Sequence, residues 1–171
     1  MQKIQETLQH KLKGATRIAI LGVGSNIMGD DIAGMLVAQN IENKIKEKAE
    51  ATGKPIDNIK VLFGGTAPEN ITGDIKKFNP THIIIIDSAD FRKAPGFIGI
   101  IELDKIGGMS FCTHRLPLKV LADYLTKSLK CQIMLLAIQP KAMLFGDGVS
   151  TEVKKAIDDL TNLIVPLILI N

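Results

Sequence analysis

The chain has 171 residues, 46% of them hydrophobic, which is enough for one well-buried core and too few to require a second domain. We therefore predict a single domain over residues 1–171. The 21 basic and 18 acidic residues give a net charge of +3, and the lysines are scattered, so the composition argues against a nucleic-acid partner.

No membrane-directed segment is expected from the sequence. The apolar run at residues 163–170 is interrupted by Pro166 and falls well short of the ~20 residues of a membrane span, so it suits a core helix end or a docking tail. The polar N-terminus lacks the apolar stretch of a signal peptide. We predict a cytoplasmic protein without membrane association. Cys112 and Cys131 are too few for a disulfide framework or a zinc site of cysteine pairs, so both are expected to be reduced thiols.

Strands and helices alternate along the chain. Hydrophobic spacing predicts helices over residues 2–12, 32–52, 68–78, 118–129 and from about 150 onward, with Ser150 as the cap of the last helix. Short apolar runs predict strands over residues 16–21, 59–63, 83–86, 97–103 and 132–138. This alternation is typical of a three-layer α/β/α sandwich.

The sequence also indicates the position or direction of two of the strands. Residues 83–86 are four consecutive isoleucines, which suits a central parallel strand covered on both faces. Only residues 91–96 separate this strand from the next, too few for a helical crossover, so residues 97–103 should run antiparallel or lie at an edge. We predict a mostly parallel, twisted five-stranded sheet with one antiparallel strand, like the sheets of phosphorylases and hydrolases.

A glycine-rich turn follows the first strand and carries two carboxylates, Asp30 and Asp31. The dinucleotide-binding fingerprint is a poor match, because Ile27 stands where its third glycine belongs and the carboxylates would repel a pyrophosphate. A helix cap would need only one aspartate. The other is then free to project into the crevice at the carboxyl ends of the strands, where α/β sheets bind ligands.

Asp31, Asp87 and His114 are the candidate functional residues, with Asp30 and Asp90 as neighbours. Asp87 ends the central strand, whereas Asp31 and His114 are expected in solvent-facing loops. Two carboxylates and one imidazole form a donor set that suits a divalent transition metal.

Structural roles are the alternative for these residues. His114 could bond to backbone and Asp87 could cap the turn after its strand. His82 and His10 are expected to be structural. A nucleophilic pair of Cys112 and His114 is disfavoured, because alternate residues of an extended segment point to opposite sides.

From Arg17 to about residue 163, the chain resembles the hydrogenase maturation endopeptidases, in particular the type that processes the hydrogenase large subunit of formate hydrogenlyase. The resemblance rests on residues 22–24 (GVG), 28–34 (MGDDIAG), 64–70 (GGTAPEN), 86–90 (IDSAD), 113–118 (THRLPL) and 138–140 (IQP), in that order. Ser25 departs from the family, which usually has asparagine at this place; Asn26 follows.

The resemblance implies that Asp31, Asp87 and His114 are both the metal-binding and the catalytic residues. It further implies that nickel is supplied by the substrate, the precursor large subunit of a nickel-iron hydrogenase, whose C-terminal extension is removed. Such enzymes are grouped with aspartic-type endopeptidases, although the sequence has no pepsin-like pair of motifs. We expect a monomer.

Two alternatives remain open at this point. The first is a chaperone that binds nickel or the large subunit without cleaving it. The second is a nucleoside phosphorylase-like hydrolase on a similar fold, although the acidic strand ends argue against the phosphate site that it would need.

Overall fold

The computed structural model describes residues 1–102 and 115–170. Five strands form one sheet: β1 (Ile18–Val23), β2 (Ile59–Gly65), β3 (His82–Ser88), β4 (Ile98–Ile101) and β5 (Gln132–Ile138). Five helices accompany them: α1 (Gln2–Lys11), α2 (Ala33–Thr52), α3 (Thr72–Phe78), α4 (Arg115–Leu129) and α5 (Thr151–Leu169). Single-turn 3₁₀ helices, Gly29–Ile32 and Pro68–Ile71, follow β1 and β2.

The sheet has the strand order β2-β1-β3-β5-β4, and only its β4–β5 pairing is antiparallel. The predicted mostly parallel sheet with one antiparallel strand is therefore confirmed. β3 lies at its centre and is buried along its whole length, as its run of isoleucines predicts. β4 is an edge strand, because the short connection from β3 leaves no room for a crossover helix.

Alternate residues of β3 contribute to two hydrophobic cores on opposite faces of the sheet. Ile84 and Ile86 lie in the core that contains side chains of α1, α2 and α5. Ile83 and Ile85 lie in the core that contains side chains of α3 and α4. This two-residue period follows from the pleat of a strand, and burial of each isoleucine contributes about 1.5–3 kcal/mol. The predicted three-layer arrangement is thus confirmed.

The predicted ends of several elements differ from the observed ones by a few residues. β1 begins at Ile18 instead of residue 16, because the N–H groups of Thr16 and Arg17 donate to the Oγ1 of Thr81 at 3.1 and 3.2 Å. β2 continues to Gly65, since its end pairs with Val23. α4 begins at Arg115, three residues before the predicted start.

Pro166 lies inside α5 and does not end it. The helix continues to Leu169 and buries Leu167 and Ile168, so the apolar tail is a core helix end, one of its two predicted roles. Over the described residues, no helix combines the length and apolar character needed to span a bilayer.

His82, at the start of β3, is buried, with its Nδ1 3.0 Å from the Oγ1 of Thr81. It lies at the end of the strand opposite Asp87, in agreement with the predicted structural role. Burial lowers the pKa of this imidazole, while a hydrogen bond to the backbone of Lys11 opposes the shift. Protonation therefore favours the unfolded chain, in which a histidine has its ordinary pKa of about 6.5.

The free energy of unfolding should accordingly fall as the pH drops below about 6.5, with at most ~1.4 kcal/mol per pH unit from this single proton. Denaturant titrations at about pH 7.5 and about pH 5.5 measure the loss. We expect a smaller loss in His82→Gln than in the parent protein. His10→Gln, a change on the exposed face of α1, should retain the parental loss. Equal losses in all three proteins would show that His82 is not responsible.

Candidate functional site

The site lies where the carboxyl ends of β1 and β3 meet. These two strands are parallel neighbours, and Gly22 pairs with Ile86 just before each strand ends. α2 begins directly over this point. A side chain at Gly34 would place its Cβ 2.1 Å from the Ile86 carbonyl oxygen and 2.4 Å from that of Val23, so only glycine allows the helix to pack this closely.

Gly24 allows a second close approach, in the turn after β1. Its φ is +137°, and a Cβ there would lie 1.9 Å from the Asp31 carbonyl oxygen. Its N–H donates to the Gly65 carbonyl at 3.0 Å, which joins the ends of β1 and β2. The glycines of this turn therefore serve backbone packing, in agreement with the rejection of a dinucleotide fingerprint.

Asp31 is only 3% exposed and links the turn after β1 to the end of β3. Its Oδ2 accepts a hydrogen bond from the Ser25 N–H at 2.8 Å, and its Oδ1 accepts one from the Ser88 hydroxyl at 2.8 Å. The prediction of a solvent-facing Asp31 is wrong, because this residue lies in the 3₁₀ turn packed against the strands. A capping role is also wrong, since no side chain caps the 3₁₀ turn or α2.

Asp87 is fully buried within β3, where Ala137 of β5 is its partner in the sheet. Its Oδ1 accepts a hydrogen bond from the Ser88 N–H at 2.8 Å. Ser88 thus contacts both carboxylates, one through its backbone and one through its hydroxyl. The structure brings Asp31 and Asp87 to the same end of the sheet, as predicted from their positions after the strands.

His114, the third predicted ligand, lies outside the described residues, as does Cys112. Residues 1–102 and 115–170 contain no group of three histidine, cysteine or acidic side chains placed to hold a metal ion. Asp31 and Asp87 supply oxygen donors of the hard type that suit a divalent metal ion together with an imidazole. The described part of the site therefore fits two positions of the predicted three-residue set. Cys131, unlike Cys112, lies within the described residues. It is a buried free thiol, and burial raises the pKa of this thiol.

Asp30 is also buried, but it bonds to the segment between β5 and α5. Its Oδ2 accepts hydrogen bonds from the N–H groups of Lys141 and Ala142 at 2.8 and 3.2 Å and from the Ser150 hydroxyl at 2.9 Å. Its Oδ1 accepts one from the Ser150 N–H at 2.7 Å. Ser150 is therefore not a side-chain cap of α5, contrary to prediction, although it occupies the N-cap position. Asp30 holds this segment beside the site.

Comparison with known proteins gives the family. The family model for hydrogenase maturation proteases of the HycI type matches residues 37–167, more than half of the chain. This chain belongs to the hydrogenase maturation protease family. The Hydrogenase 3 maturation protease of Escherichia coli is 36% identical over 140 residues, covering 81% of this chain and 83% of that protein.

Solved structures agree with this assignment. The crystal structure of the [NiFe] hydrogenase maturation protease HycI from Thermococcus kodakarensis superposes with a TM-score of 0.82 at 28% identity, covering 94% of this chain and 97% of that one. The solution structure of the endopeptidase HycI from Escherichia coli gives a TM-score of 0.72 at 30% identity, covering 88% and 90%.

In this protease, Asp90 and Gln139 fix the loop after β3. The Asp90 Oδ1 accepts hydrogen bonds from the Arg92 N–H at 2.9 Å and the Gln139 amide at 3.2 Å, and these bonds lower the pKa of its carboxyl group. The Gln139 Oε1 accepts a further hydrogen bond from the Phe91 N–H at 2.7 Å. Asp90 thus bonds the backbone of the turn that follows β3. Gln139 has no predicted role, and its only sequence signal is its place in the 138–140 motif.

Proposed function

We propose that this protease is an endopeptidase that removes the C-terminal extension from the precursor large subunit of a nickel-iron hydrogenase, and that it recognises nickel carried by that substrate. The observation that carries the proposal is the 2.8 Å bond between the Ser88 hydroxyl and Asp31, which joins the ends of β1 and β3 and so brings two buried carboxylates to one site. Membership of the hydrogenase maturation protease family supports the substrate class.

In the proposed mechanism, Asp31, Asp87 and His114 complete the coordination of the substrate's nickel. The metal ion supplies Lewis acidity to the scissile carbonyl or to a bound water molecule. Ser25 and Ser88 hold the Asp31 carboxylate at a fixed angle through both of its oxygens. The central strand holds Asp87. Such rigid support keeps ligands in productive geometry.

The term aspartic-type then describes metal-binding carboxylates. Ser88 bonds to both carboxylates, through its N–H to Asp87 and through its hydroxyl to Asp31, and so supports the two as oxygen donors at one site. We further propose that the protease acts as a monomer in the cytoplasm, which light scattering and cell fractionation would test.

The decisive experiment is incubation of the purified protein with nickel-loaded precursor large subunit, followed by mass spectrometry of the products. A precursor shortened at its C-terminus supports the proposal. Stable binding without a shortened product would indicate a chaperone instead. If the protein neither binds nor cleaves the precursor, the proposed substrate is overturned.

Metal dependence is the first expected result. Precursor that lacks nickel should be cut at least ~100-fold more slowly than loaded precursor, because about 2.7 kcal/mol of Lewis-acid stabilisation is then missing. Parallel time courses with the same enzyme preparation measure the ratio. Precursor reloaded with nickel is the control and should regain the original rate. Equal rates for loaded and metal-free precursor would argue for a mechanism that uses protein groups alone.

The two aspartates after the central strand should differ in their effects. We expect Asp87→Ala to eliminate cleavage, and Asp90→Ala to reduce it by ~10- to 100-fold, the range typical of a lost partner outside the ligand set. Asp90→Asn keeps an oxygen that can accept the Arg92 N–H and should therefore stay close to the parent. Single-turnover kinetics on loaded precursor give the order. Retained cleavage in Asp87→Ala would remove this residue from the proposed ligand set.

A further inference from the structure

Three exposed apolar side chains lie on two loops that meet beside the candidate site. Ile27, Leu144 and Phe145 are 52%, 63% and 77% exposed. The Gly146 N–H donates to the Ile27 carbonyl at 2.9 Å, which joins the turn after β1 to the segment between β5 and α5. We call Ile27, Leu144 and Phe145 the apolar rim.

The backbone that carries the apolar rim is anchored by buried polar groups. The Asp30 N–H donates to the Ala142 carbonyl at 3.0 Å, in addition to the four hydrogen bonds that the Asp30 carboxylate accepts. A Cβ built at Gly29 would lie 2.9 Å from the Ala142 carbonyl oxygen and 3.5 Å from the Leu144 nitrogen, so the two loops are in direct contact. These contacts hold the two loops in a defined conformation, and that conformation leaves the side chains of the apolar rim exposed.

The segment between β5 and α5, which carries two residues of the apolar rim, also contacts the candidate site. Met143, the residue before Leu144, places its Sδ 3.9 Å from the Ser88 hydroxyl, which in turn donates to Asp31. The segment that carries Leu144 and Phe145 thus lies next to the site, where a protein substrate bound at Asp31 can contact it. A second copy of this chain seated there would obstruct its own site.

We propose that the apolar rim is the docking surface for the folded body of the precursor large subunit, separate from the residues that cleave its extension. This inference rests on the proposed function. Protein interfaces bury an apolar centre surrounded by polar residues, with aromatic side chains among the main anchors. Phe145 supplies the aromatic anchor. Lys141 and Asp147, both exposed, supply polar groups beside it. The partner surface is therefore apolar at its centre.

The test compares the parent protein with the double variant Leu144→Ser/Phe145→Ser. The matched control is Ile170→Ser, which removes an equally exposed apolar side chain at the far end of α5, about 28 Å from its start. Steady-state cleavage of nickel-loaded precursor should show a KM raised at least ~10-fold in the double variant, equivalent to about 1.4 kcal/mol, with kcat within roughly 2-fold of the parent. Ile170→Ser should match the parent in both constants.

A binding measurement separates this proposal from the proposed function. In the Asp31→Asn background, the two rim substitutions should raise the Kd for nickel-loaded precursor at least ~10-fold. If the parent cleaves and the double variant retains the parental KM and Kd, docking at the rim is overturned and the proposed function stands. If the parent does not cleave, the proposed function fails, and the Kd comparison alone decides docking.

Two other results would also overturn the proposal. A fall in kcat with KM and Kd unchanged would place the rim in the cleavage step. A parent dimer that becomes monomeric in the double variant, with an unchanged KM, would make the rim a contact between copies of this chain. Circular dichroism verifies that the variants are folded. Should the double variant fail to fold, Phe145→Ser alone decides by the same criteria, with an expected KM increase of roughly 3-fold or more.

Discussion

Asp31→Asn is expected to abolish processing, with kcat/KM for nickel-loaded precursor lowered by more than ~100-fold. The amide has the shape of the carboxylate but lacks its charge, so it is a poorer ligand for a divalent metal ion. Losses outside a ligand set typically reach ~10- to 100-fold, and loss of a ligand should exceed them. Single-turnover cleavage followed by mass spectrometry measures the rate.

Because Asp31 is buried, the Asp31→Asn variant is expected to be less stable than the parent protein. A solvent-facing Asp31 would tolerate the substitution without cost. The observed residue is buried and accepts hydrogen bonds from Ser25 and Ser88, so the amide group of an asparagine would face one of these donors. We expect a loss of about 1–3 kcal/mol in the free energy of unfolding, with the native fold retained.

Ser88→Ala is the matched control for the Asp31→Asn variant. It removes the hydroxyl bond to the Asp31 Oδ1 but leaves the carboxylate and its bond to the Ser25 N–H. Its rate should fall by ~10- to 100-fold, less than in Asp31→Asn, because the ligand is then present but less well oriented. Full cleavage by folded Asp31→Asn would show that Asp31 is not in the catalytic set.

The fold is predictable because its determinants are local. The four isoleucines of β3 require cover on both faces, and the short segment between β3 and β4 excludes a crossover. The shared location of Asp31 and Asp87 is predictable for a similar reason, since the carboxyl ends of adjacent parallel strands meet at one edge of a sheet. The predicted set also includes His114, which stays a prediction from the sequence.

The contacts of Asp30 and Gln139 are not predictable in this way. The hydrogen bonds of Asp30 join residues 111 to 120 positions apart in the sequence, and those of Gln139 to Phe91 and Asp90 span 48 and 49 positions. Sequence spacing describes neighbours within a helix or strand, but these bonds depend on where the final loops lie. The exposure of Asp31 is misjudged for the same reason, because burial of a turn depends on what packs against it.

Asp30→Ala is expected to have the largest effect on stability, with a loss of about 3–5 kcal/mol in the free energy of unfolding. Removal of the carboxylate leaves the N–H groups of Lys141, Ala142 and Ser150 without the acceptor that they have in the folded protein. Each unpaired buried donor costs about 1–3 kcal/mol, and water that enters the space offsets part of the sum. For a chain of this length the melting temperature should fall by ~6–20 °C.

Two further variants test whether the hydrogen bonds cause this loss. Asp30→Asn keeps one oxygen for the donors near Oδ2 but turns its amide group towards the Ser150 N–H, so we expect an intermediate loss of about 1–3 kcal/mol. Asp147→Ala changes an exposed carboxylate in the same segment and should stay within about 0.5 kcal/mol of the parent. Denaturant unfolding of the three variants gives the order. If Asp30→Ala were no less stable than Asp147→Ala, the segment that carries the apolar rim would have to be held by contacts other than those of Asp30.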